Sequence, residues 1–380
     1  TIQSRGLGDV YKRQDQDLLS FNEDHRVIRE SRALLKEKYD VTVFCWARGL
    51  DKYETRWEEE KNGIKTVRIF QEESEGLFSK GKAERKAMSQ IVKKIEEYVP
   101  DIIHAHNLET LEGAAEAAKF NNAKLIFDIH EDIPAVKGKN GWFLGKNYAK
   151  MQSSLLKKVD AVITPSDEIA SEIENSIVLF NSESRKNIEK LVENHRFGLN
   201  GIVAGYIGTL EKEKLEKILT AGSAINAVSL LIVGGPFETQ KGYSETIEEL
   251  EEMATEKGAN AKFTGPLPYS MMGECYAACD IMMVGPYSPE PLKDDLVPEE
   301  LLNSMGHKIP VVVEPYKARK RIVERYECGI VSDDWSGALI KLADDKKLRT
   351  TLGLNGHKAY KMNYAWELQE EKLLNLYKNL

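Results

Sequence analysis

The sequence PDIIHAHNLETLEGAAEAAKFNNAKLIFDIHE at residues 100–131 holds two short apolar runs separated by an alanine-rich segment. Ile102–His106 and Lys124–Ile129 have the length and residue types of buried strands. Leu111–Phe120, between them, predicts a helix. A strand, a helix and a second strand in close succession predict a βαβ unit, whose two strands are parallel.

The alternation continues on both sides of this unit. Helices are predicted at His25–Lys38 and Lys82–Tyr98, and strands at Val41–Trp46, Thr66–Phe70 and Ala161–Thr164. The pattern restarts at Gly201–Ile207, so we expect two consecutive Rossmann-like α/β domains, at residues 15–195 and 196–365. A last helix at residues 366–380 would close the structure. Ligands would bind in a cleft at the carboxyl ends of the strands, between the domains.

The first 14 residues, TIQSRGLGDVYKRQ, lack the periodicity of the rest. They resemble translated adaptor sequence, so we expect a non-native leader and a truncated first strand, with Asp17–Phe21 as its remainder. An ordinary flexible terminus is the alternative.

Composition excludes several classes of protein. The 380 residues are 42% hydrophobic and 30% charged with a net charge of −8, which argues against a disordered chain and against bulk nucleic-acid binding. Four cysteines are too few for a disulfide framework, and we expect buried free thiols. No apolar run approaches the roughly 18 residues of a membrane span. A cytoplasmic location is predicted.

Short motifs in a fixed order identify a family. In the first half they are PDIIHAH at residues 100–106, LIFDIHE at 125–131 and VDAVITPS at 159–166. In the second half they are GYIG at 205–208, LIVGG at 231–235, FTG at 263–265, PEELLNSM at 298–305, PVV at 310–312 and CGIV at 328–331. Residues 24–380 resemble a retaining glycosyltransferase of the GT-B fold, family-four type.

The resemblance implies a donor site in which cations and backbone N–H groups face two phosphates. Lys214 matches the family lysine that contacts the diphosphate. Thr209 stands in place of the family arginine, and Leu215 in place of a second glycine after Gly208. One of the two phosphate cations is therefore absent, unless the nearby Lys212 substitutes for it. Alternatively, both lysines belong to a solvated charged turn.

The resemblance also implies two acidic residues eight positions apart. Asp295 matches the one near the transferred sugar, and Asn303 replaces the one that binds the ribose hydroxyls. Lys308 stands where the family usually has glycine. Glu299 and Glu300 are either an alternative carboxylate pair or the exposed first turn of a helix. The predicted donor-binding residues are Gly208, Thr209, Lys212, Lys214, Gly234, Gly235, Glu300 and Asn303.

His130 follows an apolar strand and matches the family histidine that faces the reacting sugar. It and Asp295 are the predicted catalytic residues, although His130 could instead be a structural histidine. His104 and His106 share one face of a strand, but without a third ligand they are a weak zinc motif. Neither a metal nor another cofactor is predicted, and the nucleotide sugar is a substrate.

One segment is strongly basic. Residues 136–159 carry six lysines and no acidic residue, and an aromatic tip lies inside the segment. The predicted acceptor or membrane side consists of Lys137, Lys139, Trp142, Phe143 and Lys146. Cations beside aromatic residues are typical of an interfacial membrane element. A lysine-rich surface loop and helix is the alternative.

The resemblance predicts sugar transfer from a nucleotide diphosphate sugar to a glycan or lipid-linked acceptor, with retention, in cell-envelope glycan biosynthesis. The expected partners are the nucleotide sugar and that acceptor, with peripheral contact at the inner face of the membrane and no nucleic acid. The departures at Thr209, Leu215, Asn303 and Lys308 leave a non-catalytic binding protein as the alternative. A sugar-nucleotide epimerase is a further alternative.

Overall fold

The computed structural model of the chain describes residues 6–7, 24–48, 58–61, 63–71, 77–130, 142–190, 196–210, 212–235, 243–285 and 295–380. The chain forms two compact units. Unit 1 comprises Thr1–Leu179 and Glu370–Leu380, and unit 2 comprises Phe180–Gln369. The division after Leu179 comes earlier than the predicted border at residue 195, and the C-terminal residues return to unit 1.

Unit 1 is an α/β unit built on a mainly parallel sheet. The strands are β1 Gly6–Leu7, β2 Thr42–Arg48, β3 Glu58–Lys61, β4 Ile64–Gln71, β5 Ile102–His106, β6 Lys124–Asp128, β7 Ala161–Thr164 and β8 Ser176–Val178. The helices are α1 His25–Lys36, α2 Leu77–Tyr98, α3 Leu108–Asn121, α4 Trp142–Leu155 and α5 Asp167–Ala170. Among the described residues the sheet order is β3-β4-β2-β1-β5-β6-β7-β8, and only the β3–β4 pair is antiparallel.

Two residues of the predicted leader lie in this sheet. Gly6 and Leu7 pair with Val43 and Phe44 of β2, and Leu7 also pairs with Ala105 of β5. A short strand here satisfies backbone groups of β2 and β5 that would otherwise face each other unpaired. The expectation of a leader outside the fold therefore does not describe these two residues. Asp17–Phe21 lies outside the described residues.

The two faces of β5 have different environments. All five of its residues are buried. Because side chains alternate along a strand, Ile103 and Ala105 face the apolar core formed with α2 and α3, whereas His104 and His106 face the other way. Burial on both faces is expected for a central parallel strand. The face that carries the histidines is where the polar residues of unit 1 collect.

Unit 2 repeats the architecture on a parallel sheet. The strands are β9 Ile202–Ile207, β10 Val228–Val233, β11 Ala261–Phe263, β12 Ile281–Val284, β13 Val311–Val313 and β14 Gly329–Val331. The helices are α6 Arg185–Ile188, α7 Lys212–Ser223, α8 Tyr243–Glu256, α9 Met272–Ala277, α10 Glu299–Gly306, α11 Lys317–Tyr326, α12 Trp335–Asp344 and α13 Lys346–Ala359. The last helix, α14 Trp366–Lys378, begins in unit 2, and its residues from Glu370 on belong to unit 1. In the described part of the chain the strand order is β11-β10-β9-β12-β13-β14.

The core of unit 2 confirms the apolar runs read from the sequence. β10 is buried along its whole length, and Leu215, Leu219 and Trp335 pack in the same cluster. All four cysteines are buried free thiols, as predicted, and burial raises the pKa of Cys45 to about 11. No helix in the described ranges combines the length and apolar character needed to cross a membrane.

Candidate functional site

A charged cluster lies where β5 and β6 end in unit 1. His106 is paired in register with Asp128, the last residue of β6, and His130 follows two residues later. His104 and His106 are each 3% exposed, and Asp128 is fully buried. We define the charged cluster as Arg26, Glu30, His104, His106, Asp128 and His130. Polar residues collect here because the carboxyl ends of neighbouring parallel strands meet at one edge of the sheet.

Arg26 of α1 is the cation of this cluster. Its Nε donates to Asp128 Oδ2 at 2.7 Å and its Nη2 donates to Oδ1 at 2.7 Å, which makes a bidentate pair. Its Nη1 donates to the carbonyl of Leu179 at 2.9 Å. Glu30, one helical turn along α1, places Oε1 3.2 Å from Arg26 Nε. The guanidinium therefore fixes both oxygens of the Asp128 carboxylate.

The histidines surround the same carboxylate. His106 Nδ1 lies 3.2 Å from Asp128 Oδ2, and His130 Nε2 lies 3.4 Å from it. The two ring nitrogens are 3.1 Å apart. The backbone N–H of His130 donates to the Asn107 side chain at 3.3 Å. On the far side, His104 Nδ1 lies 2.9 Å from the Tyr377 hydroxyl.

Burial and neighbouring charge set the ionisation of the cluster. Burial disfavours every charged form here, yet Arg26 and the histidines hold the pKa of Asp128 well below its usual range. Burial, together with the charge of Asp128, raises the pKa of Glu30 well above its usual range. Burial lowers the pKa of His104 and of His106. For His130, burial acts downward, but the charge of Asp128 raises the pKa overall.

The cluster contains residues that metals prefer. Atoms of Glu30, His104, His106 and Asp128 lie within 4.8 Å of one another. However, Arg26 already donates to both oxygens of Asp128, so a divalent cation would be repelled at short range. We assign no metal to the cluster, and the absence of a metal requirement stays a prediction.

In unit 2, glycine loops follow three adjacent strands. Gly208 after β9 and Gly234 after β10 have φ angles of 149° and 136°, in the region that favours glycine. The Gly208 N–H donates to the carbonyl of Val233 at 3.0 Å, and the Gly234 N–H donates to that of Gly265 at 3.1 Å. A Cβ on Gly234 would lie 1.9 Å from the Gly208 carbonyl oxygen. The backbones of Gly208 and Gly234 are therefore so close that a side chain on Gly234 would not fit between them.

The loop after β9 leads into α7 and to Lys214. Lys214 is only 8% exposed, which does not fit a solvated turn, and Leu215 is fully buried in the core. Leu215, which departs from the glycine of the family pattern, therefore packs in the core. The hydroxyl of Tyr206 donates to the carbonyl of Thr209 at 2.7 Å and braces the loop. Lys212 is the first residue of α7, but its side chain lies outside the described residues.

Asn303 belongs to an amide network, which we define as Asn181, Glu183, Tyr269, Glu299 and Asn303. The Asn303 side chain accepts from the Glu183 N–H at 3.0 Å and donates to Glu299 Oε1 at 3.2 Å. The Tyr269 hydroxyl lies 2.9 Å from Glu183 and 2.8 Å from Glu299. Asn181 donates to the second oxygen of Glu299 at 2.8 Å. With 4% exposure, Asn303 is committed to bonds inside unit 2.

The remaining predicted residues occupy different surroundings. Asp295 has a 39% exposed side chain and lies 3.7 Å from Lys317 Nζ. Glu300 is half-buried in the first turn of α10, rather than exposed. Lys308 follows α10 with a φ of 64°, a conformation in which glycine is unstrained, which explains the usual glycine of the family. Gly235 accepts a hydrogen bond from the Leu210 N–H at 2.9 Å.

The basic segment is described in part. Lys137 and Lys139 lie outside the described residues. Trp142 and Phe143 begin α4, but nothing is described of their side chains. Lys146 is exposed on α4, as is Lys150 one turn later.

Arg26, Asp128 and Glu183 were not predicted as site residues. A signal existed for the first two. Arg26 lies four residues before Glu30 on a helix with an apolar stripe, and Asp128 interrupts the apolar run LIFDI. A charge inside a strand that is buried on both faces requires a partner.

Two family descriptions match the chain, one in each half. Glycosyltransferase Family 4 matches residues 25–178, and Glycosyl transferases group 1 matches residues 187–359. No curated protein matches the chain in sequence.

Solved structures match over nearly the whole chain. Sucrose-phosphate synthase from Thermosynechococcus elongatus is 16% identical with a TM-score of 0.81, covering 99% of this chain and 98% of its own. HepE from Anabaena in complex with UDP is 16% identical with a TM-score of 0.73 and full coverage of both chains. A UDP-forming α,α-trehalose-phosphate synthase from Burkholderia xenovorans is 10% identical with a TM-score of 0.73, covering 98% and 99%. At these identities the likeness establishes the fold.

Proposed function

This chain belongs to the group 1 glycosyltransferases of the GT-B fold, and we propose that it transfers a sugar from a nucleotide diphosphate sugar to a glycan or lipid-linked acceptor with retention. The observation that carries the donor half of this proposal is Lys214. It is a lysine 8% exposed in the first turn of α7, directly after the loop of Gly208. A buried cation beside the N–H groups of a helix start favours an anionic ligand such as a diphosphate.

Each unit has its own part in the proposed reaction. In unit 2, Lys214 and the N–H groups at the start of α7 would stabilise the departing nucleoside diphosphate, and Asp295 would lie near the transferred sugar. In unit 1, the acceptor would bind near His130, whose ring would hydrogen-bond the reacting sugar. HepE solved with UDP and with UDP-glucose has this fold, which supports a nucleotide sugar as donor.

One observation favours a binding protein without turnover as the second candidate. Asn303 replaces the family carboxylate for ribose, and its amide is occupied by Glu183 and Glu299. Product analysis separates the two functions. A transferase releases nucleoside diphosphate only when an acceptor is present, whereas a binding protein releases none.

Calorimetric titration with uridine and guanosine diphosphates tests the donor site. Lys214→Ala is expected to weaken nucleotide binding by about 2–5 kcal/mol, because it removes one partner of a desolvated charged hydrogen bond. Thr209→Arg should tighten binding by restoring the second cation of the family. Lys346→Ala, at the exposed start of α13, is the matched control. Equal affinities for the parent, Lys214→Ala and the control would place the nucleotide elsewhere.

We also propose that α4 docks on an anionic membrane, at the inner face of the cytoplasmic membrane, where lipid-linked cell-envelope glycans are built. Lys146 and Lys150 lie one turn apart and are both exposed. Juxtamembrane cations contribute about 1 kcal/mol each. Sedimentation with phosphatidylserine vesicles should show binding that falls with salt and with Lys146→Glu plus Lys150→Glu. The control reverses two exposed lysines on other helices, Lys93→Glu plus Lys119→Glu. An equal loss of vesicle binding in both variants would mean that binding depends on the net charge of the protein and not on α4.

A further inference from the structure

Asp128 contacts Arg26, His106 and His130 of the charged cluster, whereas the ion pair with Arg26 alone would neutralise its charge. It is fully buried, both of its oxygens accept from Arg26, and Oδ2 also lies 3.4 Å from His130 Nε2. We propose that Asp128, clamped by Arg26, is a positioning residue that holds the His130 ring by Nε2–H and leaves Nδ1 to face the substrate. The proposal rests on the proposed function in one respect, because it assumes a substrate that contacts His130.

The orientation follows from which atoms carry hydrogen. A buried ionised carboxylate can only accept, so Asp128 Oδ2 stabilises a proton on His130 Nε2 or on His106 Nδ1. Oδ2 lies 3.2 Å from His106 Nδ1 and 3.4 Å from His130 Nε2, so it can accept from both rings. Hydrogen bonds from both rings are among the causes that lower the pKa of Asp128. His130 therefore carries a proton on Nε2, directed at Asp128.

Asp128 is suited to this because it cannot rotate. Two guanidinium hydrogen bonds of 2.7 Å fix its carboxylate plane. Arg26 is itself fixed by the carbonyl of Leu179 at 2.9 Å. His130 is fixed at its backbone by Asn107. A functional side chain held by such outer hydrogen bonds keeps its productive geometry without an ordering cost when the substrate binds.

The consequence concerns the other ring nitrogen. In imidazole the two nitrogens point in nearly opposite directions, so Nδ1 faces away from Asp128. Among the described residues Nδ1 of His130 has no hydrogen-bond partner. Burial and the charge of Arg26 disfavour the protonated form of His130, whereas the charges of Asp128 and Asp24 favour it. The charge of His130 in turn lowers the pKa of His106. When His130 is protonated, Nδ1–H is a charged donor for a substrate oxygen.

Imidazole ¹⁵N chemical shifts of the full chain at pH 7 test the proposal directly. His130 is assigned by difference against His130→Gln. In the parent protein Nε2 of His130 should carry a proton, and Asp128→Asn should remove that preference. Glu30→Gln alters another carboxyl beside Arg26, and this carboxyl makes no hydrogen bond or ion pair with His130 among the described residues, so the His130 shifts should be unchanged. A parent His130 without a proton on Nε2, or shifts unaffected by Asp128→Asn, would overturn the proposal.

Asp128→Asn has a route to a folded state, because Glu30 stays 3.2 Å from Arg26 and can ionise to pair with it. If the variant nevertheless unfolds, the parent shifts alone still decide the outcome. Kinetics separate this proposal from the proposed function. Asp128→Asn should lower kcat with nucleotide affinity unchanged; where the oriented histidine binds a metal, loss of such a carboxylate lowers activity about 10–100-fold, and we expect an effect of that order here. Turnover without the expected shifts overturns the positioning role, and the expected shifts without turnover in the parent protein overturn the transferase.

Discussion

Units 1 and 2 share a parallel α/β architecture, yet they satisfy the polar groups at their strand ends by different means. Unit 1 uses ionised and titratable side chains, centred on the pair of Arg26 and Asp128. Unit 2 uses hydrogen bonds from the backbone N–H groups of Gly208 and Gly234, together with the amide network. Unit 1 therefore neutralises buried charges with side-chain partners, whereas unit 2 satisfies its strand ends with hydrogen bonds between loop backbones and with amide contacts.

The largest effect is expected from removing the clamp of unit 1. Arg26→Met leaves Asp128 buried without its cation, which typically costs about 3–5 kcal/mol. Urea unfolding should show this loss. Lys36→Met is the control, because the Lys36 ion pair with Glu370 is exposed and such pairs contribute at most about 1 kcal/mol. Similar losses of stability in both variants would mean that the buried pair of Arg26 and Asp128 contributes no more than an exposed ion pair.

The next effect concerns the bare backbone of unit 2. Gly234→Ala and Gly258→Ala both place alanine at positive φ, but a Cβ meets the Gly208 carbonyl at 1.9 Å in the first and nothing within 4 Å in the second. We expect losses of about 2–3 kcal/mol for Gly234→Ala and about 1 kcal/mol for Gly258→Ala in urea unfolding. Gly234→Ala should also weaken nucleotide binding. If the two variants lose the same stability, the positive φ angle alone accounts for the loss, and the close approach of the loops adds nothing.

Much of the fold could be predicted because it depends on local periodicity. Ile102–His106 and Ala161–Thr164 have the predicted bounds, and the helix predicted at His25–Lys38 is observed at His25–Lys36. β3 was missed because EEEK has no apolar alternation, and its pairing with β4 is antiparallel at an edge. A strand defined by its neighbour rather than by its own residues leaves little signal in the sequence.

The candidate site was less predictable, since it depends on contacts between distant residues. Arg26 and Asp128 are 102 positions apart, and no local pattern pairs them. Asn303 was placed at the ribose from the motif register alone, whereas its amide bonds join residues 183 and 299. Motif register gives the element on which a residue lies, but its hydrogen-bond partners come from tertiary structure.

The smallest effect tests the neutral character of the amide network. Asn303→Asp keeps the oxygen that accepts from the Glu183 N–H but replaces the amide donor, 3.2 Å from Glu299 Oε1, with a second carboxyl. We expect a loss of about 1–2 kcal/mol near neutral pH. The new carboxyl faces a like charge, so its pKa in the folded state should be raised. A protonated acid can still donate to Glu299, and the loss should therefore grow as pH rises from 4 to 7. Asn187→Asp makes the same change at an exposed donor to Glu183, and should cost little at any pH. Urea midpoints across this pH range distinguish the two. A loss for Asn303→Asp that is independent of pH would mean that packing, and not the missing N–H donor, is what Asn303 supplies, and unit 2 would then differ from unit 1 in its backbone alone.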